Sequence, residues 1–88
     1  HTVDEQRAAL TEHYALTRET YAEDKLAARM KGVVLRYARF HPRFEEVRKA
    51  ALDSRRVADI DALLARFYSP APVELADQLE RRLHTGLV

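Results

Sequence analysis

Eighty-eight residues suffice for one small domain and are too few for two ordinary ones. With 47% hydrophobic and 33% charged residues and a net charge of +1, the composition is that of a folded chain rather than a disordered one. Zero cysteines exclude disulfides, thiolate metal sites and a cysteine nucleophile.

No apolar run approaches the roughly 20 residues that cross a bilayer, and the polar, acidic start does not read as a signal peptide. A cytoplasmic protein is expected. The chain opens on His1 rather than methionine, so the 88 residues are expected to be one helical domain, a fragment of something larger.

Thr2 and Glu5 have the spacing of a capping box, in which each satisfies a free backbone donor of the other. Leu10, Tyr14, Thr17 and Tyr21 then recur at helical intervals, predicting a first helix to about residue 21. A second helix is predicted from Glu23 to Phe40, its apolar stripe made of Leu26, Met30, Val33, Val34, Tyr37 and Phe40. Gly32 lies inside it, where glycine costs about 1 kcal/mol relative to alanine. Close approach of a neighbouring helix would explain that choice.

His41-Pro42 should end the helix, because the residue before proline is pushed out of helical geometry. Pro42 can then open the next helix at its first position. Phe44, Val47 and Ala51 form the stripe of that third helix, which breaks at Asp53 or Ser54. Val57, Ile60, Leu64 and Phe67 line a fourth, with Leu63 and Tyr68 beside them. Ser69-Pro70-Ala71-Pro72 suits a turn into a last helix carrying Leu75 or Ala76, Leu79 and Leu83, with Gly86 as its cap. The expected fold is all-α, a bundle of four to five short helices.

Charge is unevenly placed. Residues 1–28 carry three basic and six acidic side chains, residues 29–56 nine and three, and residues 57–88 three and five. On a wheel turning about 100° per residue, Lys25, Arg29, Arg36 and Arg39 share an arc of roughly 80° beside the apolar stripe. Arginine forks match phosphate oxygens in pairs. Arg29, Lys31, Arg36 and Arg39 are therefore the candidate contacts to a nucleic-acid backbone, with Arg43, Arg48 and Lys49 in support.

The same charges fit a plain solvated face, an acidic protein partner or DNA, although no helix-turn-helix spacing stands out. A membrane surface fits worse, because an interfacial helix would expose the apolar face that the core needs. His41 and Glu45 have metal-ligand spacing, but Pro42 between them favours a capping role for the histidine. Asp59 and Asp61 fit a preference for negative charge at a helix start. Tyr14, Tyr21 and Tyr37 read as core or rim. No catalytic residues and no metal ligands emerge.

The order of His13, then Tyr21-Ala22-Glu23, then Arg29-Met30-Lys31 and Tyr37, followed by "FEEVRKAAL" and "DIDALLARFY", resembles the C-terminal helical domain of bacterial tRNA-dihydrouridine synthases. The likeness covers roughly residues 5–68. It departs at Ala22, where the family has glycine, and at Lys31-Gly32-Val33, where the family has Arg-Lys-His.

The resemblance implies a domain that holds tRNA while a separate barrel, absent from this sequence, reduces a uridine with flavin mononucleotide and NADPH. It implies no cofactor in this chain, no activity of the chain alone, and tRNA and that barrel as partners. An apolar patch left by the barrel would also let the fragment self-associate.

Overall fold

The computed structural model describes residues 2–69, 75–78 and 81, and among them every regular element is an α-helix. Four helices follow in chain order: α1 (Val3–Thr20), α2 (Glu23–Ala38), α3 (Phe44–Asp53) and α4 (Val57–Phe67). Residues 75–78 are also helical. The chain is thus an all-α bundle of short helices.

The start of α1 is capped as the sequence predicts. The Glu5 N–H donates to Thr2 Oγ1 at 3.1 Å, and the Glu5 carboxylate accepts from the Thr2 N–H at 3.4 Å. Leu10 and Tyr14 bury one face of the helix. The backbone turns extended at Tyr21, so Glu19 and Glu23 belong to different helices.

α2 is the centre of the bundle and packs against α1, α3 and α4. That position requires a wide buried face: Leu26, Ala27, Met30, Val33, Val34 and Ala38. The alanines matter because small side chains let flanking helices come close. The expected stripe is therefore corrected at its C-terminal end, where Tyr37 is half-buried and Phe40 is 37% exposed. Helix α2 stops at Ala38, two residues before Phe40, so Phe40 no longer follows the helical wheel.

The turn after α2 is held by 3.0 Å bonds from the Phe40 and His41 N–H groups to Tyr37 and Ala38 carbonyls. Pro42 does not sit at the first position of α3, which begins at Phe44 with Arg43 as its N-cap. Within α3, Val47 and Ala51 are fully buried, whereas Phe44 is 49% exposed and leaves the predicted stripe. The break falls at Ser54, whose hydroxyl donates back to the Ala50 carbonyl at 2.8 Å.

α4 buries Ile60, Leu63, Leu64 and Phe67, and Tyr68 beyond it is fully buried. Its first turn is held by carboxylates from two helices. Asp59 accepts from the Arg55 and Arg56 N–H groups at 2.9 and 3.1 Å, and Glu23 of α2 accepts from the Val57 N–H at 3.2 Å. The two backbone donors hold the Asp59 carboxyl below the usual range. Asp61 has a different role from the expected one: it accepts the Tyr14 hydroxyl hydrogen at 2.8 Å and ties α4 to α1. Burial raises both the Asp61 and Tyr14 pKa values.

Among the described residues, three polar side chains are buried: Gln6, His41 and Ser54. Gln6 donates to the Phe40 carbonyl at 3.1 Å and accepts from the Tyr68 hydroxyl at 3.0 Å. His41 bonds the Phe67 carbonyl through Nε2 at 3.0 Å, and its Nδ1 accepts from the Arg43 N–H at 2.9 Å. The proton must therefore sit on Nε2. Both rings of Phe67 and Tyr68 meet His41 edge-on. The corner between α2 and α3 is thus fixed by α1 on one side and α4 on the other. Of the last predicted helix, Ala76 is fully buried, while Leu79, Leu83, Gly86 and residues 70–72 lie outside the described residues.

Candidate nucleic-acid interface

The exposed face of α2 is built by spacing alone. Lys25, Arg29, Arg36 and Arg39 recur at intervals of four, seven and three residues, and all four are exposed. At 1.5 Å per residue the row spans about 21 Å along the surface. Lys25 and Arg36 side chains make no ion pair or hydrogen bond with the described residues. Arg29 lies over the Tyr21 ring at 4.7 Å and Arg39 over the Phe40 ring at 4.6 Å. Such stacking fixes the planar group and leaves its N–H edge free for an anion.

Gly32 falls in the middle of this row and is itself exposed. Beyond its own turn of helix, no atom of the described residues lies within 4 Å of where its Cβ would be, so the expected close approach of a neighbouring helix is corrected. What Gly32 does is leave the helix backbone bare between Arg29 and Arg36.

The other candidate cations divide. Lys31 projects from another side of α2, and its ammonium donates to the Leu52 and Ser54 carbonyls at 3.0 and 3.3 Å, capping the C-terminal end of α3. Arg43 pairs with Glu46 and lies over the Phe67 ring at 5.0 Å. Arg48 and Lys49 are exposed on α3 without a described partner, and as consecutive residues they point about 100° apart. The structure thus gathers Arg29, Arg36 and Arg39 in one row with Lys25, and places Lys31 and Arg43 in contacts internal to the fold.

Beside the C-terminal end of the row lies a groove of about 450 Å³, lined by His13, Leu35, Arg36, Tyr37, Arg39 and Phe40. The His13 and Tyr37 rings meet edge to face, 6.2 Å apart at 62°. The sequence offers no signal for this pairing, because the register between α1 and α2 is set by their packing. Phe40 belongs to the groove because of the early end of α2.

Burial pushes the Tyr68 hydroxyl up to about 12, which keeps it a neutral donor to Gln6. Among the described residues no group of three or more His, Asp or Glu is placed to hold a metal ion. Among them, too, no helix is long and apolar enough to cross a membrane. No protein-family model, curated protein or solved structure matches the chain.

Proposed function

We propose that this chain is an RNA-binding helical domain that holds tRNA by its phosphate backbone, of the kind that tRNA-dihydrouridine synthases carry after their catalytic barrel. The observation that carries the reading is the exposed row Lys25, Arg29, Arg36 and Arg39, with Gly32 bare at its centre. A rod of guanidinium groups on a rigid helix positions a polyanion without reading its sequence. The parentage rests on the order of His13, Tyr21-Ala22-Glu23, Arg29-Met30-Lys31 and Tyr37.

On this reading the chain works in the cytoplasm, and the reduction takes place in a barrel beyond these 88 residues. Flavin mononucleotide and NADPH belong to that barrel. The residues here bind and orient. Arg29, Arg36 and Arg39 make the primary phosphate contacts, and Arg48 and Lys49 extend the field along α3.

The test is a tRNA titration followed by anisotropy across a salt series. Log affinity should fall with log salt, since each neutralised phosphate contributes a slope of about 0.7–0.9. Replacing Arg36 and Arg39 with alanine should flatten the slope by about one to two units. A salt-independent signal, or none, would sink the RNA reading. Tighter binding to an acidic polypeptide than to tRNA at matched salt would favour a protein-interaction module.

A further inference from the structure

We propose that the groove between α1 and the C-terminal end of α2 is a nucleotide site, taking one unpaired base while Arg36 and Arg39 hold the phosphates beside it. The inference rests on the RNA reading and adds a place where the strand is gripped by its base. The groove's volume of about 450 Å³ falls in the range of roughly 300–1,000 Å³ typical of small-ligand sites.

Three features point to this occupant. First, the lining joins three rings, His13, Tyr37 and Phe40, to two guanidinium groups, with no carboxylate among the described lining residues. Second, several polar groups converge there without internal partners. The His13 imidazole, the Tyr37 hydroxyl and the Arg36 guanidinium make no hydrogen bond with the described residues, although His13 and Tyr37 are each half-buried. Half-buried donors and acceptors without partners are what a ligand edge satisfies. Third, the groove continues the basic row, so a backbone lying along Lys25, Arg29 and Arg36 reaches it without changing direction.

The chemistry separates a nucleotide from other anions. An acidic peptide would meet the two arginines without using the ring surfaces of the groove. A nucleotide uses both, with its base against the rings and its phosphates on the guanidiniums. A paired duplex cannot, because its bases are already stacked. The site therefore favours loops and single strands over helices.

The experiment compares a hairpin RNA having an unpaired loop with a fully paired duplex of equal charge, by anisotropy at one salt concentration. The hairpin should bind more tightly to the wild-type chain. His13→Ala and Phe40→Ala should each weaken hairpin binding by about 5- to 150-fold, the range for losing one stacked base. Tyr37→Phe, which keeps the ring and removes the hydroxyl, should weaken it less. His13→Ala and Tyr37→Phe should leave duplex affinity and the salt slope unchanged, whereas Arg36→Ala should reduce both.

If Phe40→Ala loosens the corner, as a lowered melting temperature would reveal, Phe40→Leu keeps the apolar bulk and removes the aromatic face. Equal binding of hairpin and duplex, with His13→Ala and both Phe40 variants unaffected, would overturn the groove while leaving backbone binding intact. Absence of any RNA binding by the wild-type chain would overturn both.

Discussion

The outer row of α2 and the corner that follows it are neighbours in sequence and opposite in construction. Along the row, Lys25 and Arg36 are exposed, and their side chains make no ion pair or hydrogen bond with the described residues. At the corner, Gln6 and His41 are buried, and each bonds two groups on different elements. Polar groups at the corner hold the fold, because a buried donor without a partner is expensive. On the row, Arg29 and Arg39 touch only neighbouring ring faces among the described residues, and Lys25 and Arg36 hold none of them. The difference separates residues whose loss should unfold the chain from residues whose loss should only silence it.

The comparison breaks most sharply at Gln6. Gln6→Leu keeps the volume but orphans the Tyr68 hydroxyl and the Phe40 carbonyl, and should destabilise by about 2–4 kcal/mol in urea unfolding. A loss under about 0.5 kcal/mol would mean that the corner is not the lock described here. His41→Ala removes the bonds to Phe67 and Arg43 together with two ring contacts, and should cost about 1–3 kcal/mol. The same denaturation measurement checks it.

Gly32→Ala runs the other way. With open space around the added methyl, it should stabilise the chain by about 1 kcal/mol, read as a higher urea midpoint at unchanged slope. Arg36→Ala with Arg39→Ala should move stability by no more than about 0.5 kcal/mol, while flattening the salt dependence of tRNA binding. If that double variant unfolds, the row is part of the fold and the comparison fails.

The smallest effect lies at the start of α4. The folded Asp59 pKa is held below its ordinary value by two backbone N–H donors. Its contribution is therefore present above the unfolded value and lost as pH falls through the folded one. Thermal melts at falling pH should show a shallower acid loss for Asp59→Asn than for the wild-type chain. Equal acid losses would remove Asp59 from the cap.

Helix positions were legible because their signals are local. The Thr2–Glu5 capping box, the proline break after His41 and the Ser54 stop each depend on residues within four positions of one another. The basic row was legible for the same reason, since a single helix turns at a fixed angle per residue. Phe40 and Phe44 were read as core because apolar periodicity ignores where a helix ends. The functions of Lys31 and Asp61 could not be read at all, since their partners lie 21 or more positions away in sequence.

By itself, then, the sequence determined four amphipathic helices, their approximate boundaries and a guanidinium-rich face on α2, because those depend on short-range backbone geometry and side-chain order. Only the tertiary structure decided which cations stay outside. Lys31 and Arg43 became internal contacts because the end of α3 and the Phe67 ring came within their reach. Arg36 stayed open, and His13 met Tyr37 across a groove, because α1 and α2 pack in one register among several that their patterns allow. Packing against three neighbours at once selects that register, and no segment of the chain carries that information alone.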